Sequence, residues 1–313
     1  MTNEPFVSIC IPAYKRADYL KRLLGLISTQ TYKNLEVVIT DDSGNDNTVE
    51  NFIKETNFSF KVLYIKNPVP LGSPLNWMES FRHATGEWIK IMHDDDGFAS
   101  DGALASFVNA IEADTDCLFS GYIVQNELNK TSSKMSISNG AFSSFLKHPY
   151  RLFAKNIIGP PSVMLFKKAL TEQFDARLKW IVDWEFYIRL ALKYNLKYIN
   201  EALILVSYND TQITNDCALN PAVEIPEIML LYSKYGDVLF KDIVLFDAWW
   251  RLIRNLRIKS IKQFAAHTDI ELPKPIKTII WFQSFIPYQL LKVGVFSKIY
   301  MAKCFLYSWV FNK

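Results

Sequence analysis

Residues 7–48 have the sequence VSICIPAYKRADYLKRLLGLISTQTYKNLEVVITDDSGNDNT. The predominantly apolar runs Val7–Ala13 and Leu35–Thr40 predict two buried strands. Four aliphatic residues between them are spaced i, i+3, i+4 and i+7: Leu20, Leu23, Leu24 and Ile27. That spacing is typical of one face of an amphipathic helix. A strand, a helix and a second buried strand in this order predict the β-α-β unit of a parallel sheet.

The same alternation continues to residue 124. It predicts a fold of the α/β class, with a mostly parallel sheet and helices on both faces. In such a sheet, ligands bind beyond the carboxyl ends of the strands. The further predicted elements are the strands Phe60–Ile65, Trp88–Met92 and Cys117–Val124, and helices at Asn47–Lys54, from Ser73 as N-cap to about Ala84, and from Ser100 to about Ala113.

Beyond residue 124 the pattern is less regular. Residues 126–141 are polar and predict a loop or a hairpin, and the residues from about 221 onward predict helices. The elements predicted between these two regions are the strand Val163–Phe166, the helix Val182–Tyr194, and the strands Leu196–Ile199 and Leu203–Tyr208.

Composition excludes several classes of protein. The 313 residues are 50% hydrophobic and 21% charged, which excludes wholesale disorder. The net charge of +3 argues against a general nucleic-acid binder. The four cysteines form no CxxC pair and fit no zinc motif. We expect neither a signal peptide nor a membrane-spanning helix, since the longest uncharged apolar run, Thr278–Leu291, is too short.

Five acids follow two of the predicted strands. Asp41 and Asp42 come after the second strand, and His93-Asp94-Asp95-Asp96 comes after the fourth. Because the carboxyl ends of parallel strands meet at one edge, crowded carboxylates there are costly unless a cation or hydrogen-bond donors offset the repulsion. A hard divalent cation, which prefers oxygen ligands, is the natural partner. Taken singly, the first motif is also a good turn and the second a solvated loop before a helix.

Three segments in the right order resemble an inverting family-2 glycosyltransferase of the GT-A fold. They are residues 7–48, the segment GEWIKIMHDDDGFASDGAL at 86–104, and IVDWEFYIRL at 181–190. The resemblance covers approximately residues 5–210. It implies a Rossmann-like nucleotide-diphospho-sugar transferase domain at 1–215, with a nucleotide-binding half 1–100 and an acceptor half 101–215. No GxGxxG or GxxxxGK[ST] motif competes.

Carried over position by position, the resemblance implies a donor site. Pro12, Tyr14 and Arg16 flank the nucleotide base and phosphates. Asp42 hydrogen-bonds the base, with Asp41 beside it.

The acidic run implies a Mg²⁺ or Mn²⁺ site. Asp94 faces the ribose or the metal, Asp95 is the main metal ligand and Asp96 a second candidate. A cation of this kind stabilises the departing nucleoside diphosphate as a Lewis acid. We interpret His93, where many relatives have Asp, as a structural group rather than a ligand. A third protein ligand stays open, because residues 209–212 contain no His where relatives often have one.

The third segment implies the acceptor side. Asp183 is the general base that takes the proton of the acceptor hydroxyl, although an Asp at a helix start is also a common N-cap. Trp180 and Trp184 either stack on sugar rings or belong to the core. Glu185 contacts a sugar or pairs with an arginine four residues on. Ser162 lines the acceptor side or ends a rigid turn. Val182 departs from the family, which often has Glu there.

The C-terminal region, residues 216–313, is helical, basic and aromatic. Residues 272–313 contain six lysines and no Asp or Glu. Asp247–Phe264 predicts one basic amphipathic helix. Basic and aromatic residues without spanning length predict an interfacial anchor on an anionic membrane. The alternative is a helical cap packed on the catalytic domain or on a second subunit.

These expectations combine into one function. We expect a peripheral glycosyltransferase on the cytosolic face of the membrane, which transfers a sugar from a UDP- or dTDP-linked donor to a hydroxyl of a growing, lipid-linked glycan. Assembly of a bacterial surface polysaccharide such as O-antigen lipopolysaccharide is the expected setting. The alternative is a non-catalytic, sugar-nucleotide-binding subunit of a polysaccharide-assembly complex. A nucleotidyltransferase is disfavoured, because no Gly-rich loop follows the first strand.

Overall fold

The computed structural model describes residues 4–209 and 217–311, with only the backbone described at 311. Nine strands within these ranges join in one sheet. They are β1 (Val7–Ala13), β2 (Leu35–Asp41), β3 (Lys61–Lys66), β4 (Trp88–Ile91), β5 (Gly97–Phe98), β6 (Cys117–Asn126), β7 (Thr131–Met135), β8 (Met164–Lys167) and β9 (Leu196–Tyr208).

Helices of the same ranges alternate with these strands and then continue alone. They are α1 (Ala17–Ser28), α2 (Thr48–Glu55), α3 (Leu75–His83), α4 (Ala103–Asn109), α5 (Asn139–Lys147), α6 (Val182–Lys193), α7 (Pro221–Tyr235), α8 (Ile243–Asn255), α9 (Ile261–Ala265), α10 (Lys274–Ser284), α11 (Tyr288–Leu291) and α12 (Gly294–Phe311). Short 3₁₀ turns at Pro149–Phe153, Pro161–Val163 and Gly236–Phe240 complete the connections.

The strands lie in the order β3-β2-β1-β4-β8-β6-β9-β5, and β7 pairs with β6. β1 is parallel to β2 and β4, β2 to β3, and β6 to β9. β8 lies antiparallel between β4 and β6, so β6 and β9 run in the same direction as β4. The predicted α/β fold with a mostly parallel sheet is confirmed. The pattern analysis did not predict that β8 is inserted antiparallel in the middle.

This topology brings the carboxyl ends of β1, β2, β4 and β9 to one edge of the sheet. β1 and β2 are almost completely buried, as expected for strands covered on both faces. The four aliphatic residues of α1 predicted to face the core are all buried. The segments that follow β1, β2 and β4 therefore leave from a rigid support at the same edge.

Several predicted boundaries need correction. α3 begins at Leu75 with Pro74 as its N-cap, so the assignment of Ser73 as N-cap is wrong. α4 is shorter than the predicted helix, because it begins after Gly102 and ends at Asn109. The two strands predicted between 196 and 208 are one strand, β9, whose pairing with β6 shifts register beside Gly121. Residues 126–141 include β7, which forms a hairpin with β6.

The chain divides into two compact units that are described separately. The first unit is Met1–Lys147, Ile157–Ala176 and Phe186–Gln212, and it contains the whole sheet. The second unit is His148–Asn156, Arg177–Glu185 and Ile213–Lys313. It thus includes two segments that the sequence analysis had placed in the first domain, whereas the domain boundary at residue 215 stays a prediction.

The second unit has an aromatic core of its own. Trp249 and Trp250 of α8 are fully buried. The ring of Trp249 stacks on that of Phe240, with their centroids 5.0 Å apart. Nε1 of Trp250 donates a hydrogen bond to Oγ of Ser297 in α12 over 2.9 Å. The single basic helix predicted at 247–264 is in fact two helices, α8 and α9, with a left-handed residue between them, Arg257, at φ 56°.

No helix among residues 4–209 and 217–311 is long and apolar enough to cross a bilayer. α12, the longest at 18 residues, is included in that finding.

A buried carboxylate on β2 ties three elements of the first unit together. Glu36 accepts hydrogen bonds from Oγ of Ser8 at 2.8 Å, from the Thr85 N–H at 2.6 Å and from Nζ of Lys61 at 2.6 Å. Burial alone raises the pKa of Glu36, but the hydrogen bonds from Lys61, Thr85 and Ser8 outweigh it and lower the pKa to about 2. The ionised form is therefore the stabilising one.

We expect Glu36→Gln to lower the free energy of unfolding at pH 7 by about 2 kcal/mol, since hydrogen bonds to a charged group are lost. Because the folded-state pKa is depressed, this contribution is complete above the ordinary value of 4.5 and fades as the pH falls toward 2. Urea unfolding at pH 7 and pH 3.5 measures the difference, with the exposed Glu55→Gln as control. An equal deficit at both pH values would contradict the assignment.

Candidate active site

Three side chains that can bind a cation come together after β4. Ligand atoms of His93, Asp95 and Asp96 all lie within 4.8 Å of one another. The backbone turns tightly here, because the Asp96 N–H donates to the His93 carbonyl over 3.1 Å. These three residues are called the triad below. The sequence analysis named Asp95 and Asp96 as ligands and took His93 for a structural group, whereas the structure places a ring nitrogen of His93 in the same cluster.

The carboxylates of the triad are buried, and one ring nitrogen of His93 lacks a hydrogen-bond partner in the described part of the chain. Asp95 is 7% exposed and Asp96 is 3% exposed. Nε2 of His93 is buried and has no hydrogen-bond partner within residues 4–209 and 217–311, at a typical cost of roughly 1–3 kcal/mol. Burial and the neighbouring Asp95 raise the pKa of Asp96, and burial lowers the pKa of His93.

This donor set fits a divalent cation. Carboxylate oxygens and an imidazole nitrogen are ligands that first-row divalent metals accept. A cation at the triad would bind a ring nitrogen of His93 and offset the repulsion between Asp95 and Asp96. His93 is thus a candidate for the third protein ligand. The stretch 209–212, where relatives often carry a His, lies outside the described residues except for Asn209.

Arg16 forms ion pairs with two of the three consecutive acids. Its Nη1 lies 2.8 Å from Oδ2 of Asp95, and its Nε lies 3.3 Å from Oδ2 of Asp94. Its Nη2 also contacts Oδ1 of Asp94. Burial raises the pKa of Asp94 to about 7, although Arg16 opposes the shift. Asp95 is therefore shared between Arg16 and the triad, whereas both oxygens of Asp94 face Arg16.

The turn between β1 and α1 fixes the backbone that carries Arg16. Lys15 has a φ of 55°, which is uncommon for a residue other than glycine and is found most often at functional sites. Its N–H donates to Oγ of Ser43 over 2.8 Å. Tyr14 is 52% exposed and Pro12 is partly buried. The turn thus presents one exposed aromatic ring, with Nζ of Lys15 5.0 Å from its centroid, and one guanidinium at the edge of the sheet.

Asp41 and Asp42 hold the backbone after β2. Oδ2 of Asp41 accepts from the Tyr64 hydroxyl at 2.7 Å. Asp42 accepts from Nδ2 of Asn67 at 2.6 Å, and from the N–H groups of residues 71 and 72 at 3.1 and 2.8 Å. Both carboxylates are buried. Asp42 therefore organises the loop after β3, and its contact with a nucleotide base stays a prediction.

A buried lysine supports the triad from within the sheet. Lys90 of β4 is completely buried, and its Nζ donates to the carbonyl of Ser162 and, over 3.3 Å, to that of Met164. Oγ of Ser162 in turn accepts from the N–H of His93 at 3.0 Å and hydrogen-bonds Asp96. Burial lowers the pKa of Lys90 to about 7. Ser162, predicted on the acceptor side, thus lies against the triad.

Arg22 and Ser207 hold the loop of the triad from its other side. Arg22 of α1 donates to the carbonyl of Asp95 and, over 2.8 Å, to Oγ of Ser207. Oγ of Ser207 donates to the same carbonyl over 2.6 Å, and its N–H donates to Oδ1 of Asp96 over 3.3 Å. The sequence analysis missed Lys90, Arg22 and Ser207. A lysine inside an apolar strand was the only visible signal.

Asp183, the predicted general base, lies in the second unit. α6 begins at Val182, so Asp183 is the second residue of the helix and not its N-cap. Its Oδ2 accepts from Nδ2 of Asn156 at 2.8 Å, and its carboxylate also accepts from the Trp184 N–H. Burial raises the pKa of Asp183 to about 7 although these hydrogen bonds oppose the shift, and the side chain stays partly exposed.

α7 holds the segment in which Asp183 lies. The Glu227 carboxylate accepts from the N–H groups of three consecutive residues, 179–181, at 2.8 to 3.1 Å. Glu185 is completely buried and accepts from Nζ of Lys234 at 2.7 Å. Glu185 therefore has a structural partner on α7, and Glu227 is a positioning residue that no sequence motif indicated.

Trp180 and Trp184 line a cavity of about 260 Å³ within the second unit. Their ring centroids are 6.4 Å apart, and both side chains are partly exposed. Arg251 and Glu224 add charged groups to the described part of the lining. Neither tryptophan is buried in the core, so a stacking face remains available on both.

The chain matches the family model for Glycosyl transferase family 2 over residues 8–174, more than half of its length. It belongs to glycosyl transferase family 2. Two relatives extend the finding. An uncharacterised glycosyltransferase of Rickettsia typhi is 24% identical over 335 aligned positions, covering 99% of this chain and 97% of that protein. The abequosyltransferase RfbV of Salmonella typhimurium is 34% identical over 113 residues, 35% of this chain and 34% of RfbV.

Two solved structures share the fold of this glycosyltransferase. A mannosyltransferase from Pyrobaculum calidifontis, in complex with GDP-Man and Mn²⁺, gives a TM-score of 0.57 at 16% identity and covers 100% of this chain and 89% of that one. Residues 1–349 of TarS from S. aureus, in complex with UDP-GlcNAc, give a TM-score of 0.57 at 14% identity. The match covers 98% of this chain and 92% of that one. The GT-A fold expected from the sequence is confirmed.

We expect Asp95→Asn to weaken Mn²⁺ binding at least ~100-fold, because a shared carboxylate of the triad loses its charge. Isothermal titration calorimetry with Mn²⁺ measures the change. The matched control is the exposed Asp101→Asn, which removes a carboxylate from the same unit outside the triad. Mn²⁺ affinity that is equal in Asp95→Asn and the wild type would contradict the assignment of the triad.

Proposed function

We propose that this glycosyltransferase is inverting and metal-dependent, and that it transfers a sugar from a UDP- or dTDP-linked donor to a hydroxyl of a lipid-linked glycan. The observation that carries the proposal is the triad, with its orphaned His93 nitrogen, beside Arg16 at the carboxyl edge of the sheet. Donor complexes with GDP-Man and Mn²⁺, and with UDP-GlcNAc, in two proteins of this fold support a nucleotide-sugar donor.

The triad and Arg16 serve the departing diphosphate. His93, Asp95 and Asp96 hold a Mg²⁺ or Mn²⁺ ion, which when bound supplies Lewis-acid stabilisation of the leaving group. The guanidinium of Arg16 offers a planar fork to phosphate oxygens. Asp94 faces the ribose or the ion, and Pro12, Tyr14 and Asp42 border the base, with Asp41 supporting the backbone beside them. These roles follow the family resemblance.

Asp183 takes the proton of the attacking hydroxyl. Two features support this role: Asn156 orients the carboxylate, and burial raises its pKa to about 7. A base with a pKa near the working pH combines a populated ionised form with good proton affinity. One displacement by one hydroxyl inverts the anomeric centre. Trp180 and Trp184 offer faces to acceptor sugars, Glu185 holds the helix beside them, and Ser162 holds the backbone of the triad.

We expect Asp183→Asn to lower the rate of sugar transfer ~10²–10⁴-fold while donor affinity stays unchanged, because only the proton acceptor is lost. Since burial raises the pKa of this carboxyl, the wild-type rate should rise with pH up to about 7 and then level off. Steady-state kinetics with UDP- and dTDP-sugars from pH 5.5 to 8.5 tests both points.

Asp237→Asn, an exposed carboxylate of the same unit, is the matched control for that experiment. Transfer by Asp183→Asn at the wild-type rate would contradict the role of the base. A wild type that binds donor without transferring sugar would favour a non-catalytic binding subunit instead.

The C-terminal helices support a membrane surface as partner. One face of α10 and α12 is buried within the second unit, as shown by Ile279 and Cys304, while the opposite face is apolar and open. Exposed fractions reach 53% for Trp281, 70% for Phe285 and 60% for Trp309. No acidic residue occurs between residues 272 and 313, and six lysines do. An apolar, aromatic face with a basic surround suits the interface of an anionic bilayer.

We expect the double variant Phe285→Ser and Trp309→Ser to bind anionic vesicles ~100-fold more weakly than the wild type. Each large apolar side chain removed from the bilayer should lower the affinity about tenfold. Cosedimentation with phosphatidylglycerol vesicles measures the partitioning. Leu128→Ser with Leu192→Ser, two exposed positions of the first unit, is the control. Unchanged partitioning would exclude this face as an anchor and would favour a protein partner.

A further inference from the structure

A cation bound at the triad would draw on a carboxylate, that of Asp95, which already pairs with Arg16. Its Oδ2 receives Nη1 of Arg16 at 2.8 Å, and the same carboxylate belongs to the triad. The cation and the guanidinium of Arg16 would then both contact the side chain of Asp95, which is 7% exposed. Since water screens charges poorly in a buried site, a divalent ion at the triad and the guanidinium at Asp95 repel each other strongly.

Arg16 can change partners because only its side chain needs to move. The backbone of the turn is held by the hydrogen bond from Lys15 to Ser43. The side chain of Arg16 is 29% exposed, and its guanidinium lies 5.7 Å from the ring centroid of Tyr19. A guanidinium with one side toward solvent and a planar fork of donors is suited to a diphosphate.

We propose that Arg16 and the divalent cation compete for Asp95, and that the diphosphate of the donor takes over Arg16 when the cation binds, so that cation and nucleotide bind cooperatively. This inference rests on the proposed function. In the absence of ligands Arg16 acts as a stand-in cation for the acidic run. With cation and donor present, the cation holds Asp95 and the diphosphate receives Nη1 of Arg16, while Nε and Nη2 of Arg16 stay on Asp94.

If Arg16 and the cation compete for Asp95, Arg16→Met should change the affinity for Mn²⁺ and the affinity for nucleotides in opposite directions. Mn²⁺ alone should bind ~10-fold more tightly, because the competitor for Asp95 is gone, while UDP, dTDP or GDP in the presence of Mn²⁺ should bind ~10-fold more weakly, because the diphosphate loses its partner. Coupling is reciprocal, so the factor by which nucleotide tightens Mn²⁺ binding should also fall toward one. A merely structural role of Arg16 weakens both ligands.

The experiment is a set of titrations on the full chain. Mn²⁺ is titrated alone and with saturating UDP, dTDP and GDP in turn, and bound Mn²⁺ is followed by electron paramagnetic resonance. Lys21→Met, which removes an exposed positive charge from α1, the helix that follows Arg16, is the matched control. Arg16→Lys keeps the charge without the fork; if Arg16→Met does not fold, Arg16→Lys carries the test, with weaker nucleotide binding and a reduced coupling factor as the expected result.

The outcomes separate this inference from the proposed function. Equal or weaker binding of Mn²⁺ alone by Arg16→Met, or an unchanged coupling factor in Arg16→Lys, overturns the competition even when the wild type binds a nucleotide with Mn²⁺. A wild type that binds none of the three nucleotides with Mn²⁺ overturns the proposed function instead, whatever Arg16→Met does to Mn²⁺ alone.

Discussion

Repulsion among three consecutive buried carboxylates is the constraint that organises the first unit. Asp94, Asp95 and Asp96 follow a strand whose own lysine is buried behind them, and each is less than a tenth exposed. Such a run folds only if positive charge and hydrogen-bond donors surround it. Arg16 supplies the charge from the turn after β1, Ser162 supplies a donor from the turn before β8, and Ser207 supplies donors from β9. The order of strands in the sheet is what brings these donors to the same loop.

Much of this arrangement could be predicted from the sequence, because strand ends in a parallel sheet share an edge. The apolar runs placed β1, β2 and β4, and their final residues then placed Arg16, Asp42 and the acidic run together. What escaped prediction depends on pairing between distant segments. The insertion of β8 has no periodic signal, so neither Ser162 nor the buried Lys90 could be assigned to the triad before the register was known.

His93 illustrates a second limit of prediction. A single histidine before three acids is compatible with a structural group or with a ligand, and only the direction of its ring decides between them. The turn in which Asp96 donates to the His93 carbonyl brings the ring back toward the acids it precedes. The long basic helix failed as a prediction for a related reason. Its apolar period continues across Arg257, but the backbone there is left-handed, which ends one helix and allows another to begin.

The hydrogen bonds that Glu227 accepts from residues 179–181 limit which segments of this enzyme can be exchanged with those of its relatives. The match to the family model ends at residue 174, before the segment that contains Asp183, and that segment is held by side chains of α7. A chimera joined at the end of the matched domain separates Asp183 from the carboxylate that fixes its backbone. Exchange of the C-terminal helices between relatives therefore preserves the segment of Asp183 only if the incoming helix carries equivalents of Glu227 and Lys234.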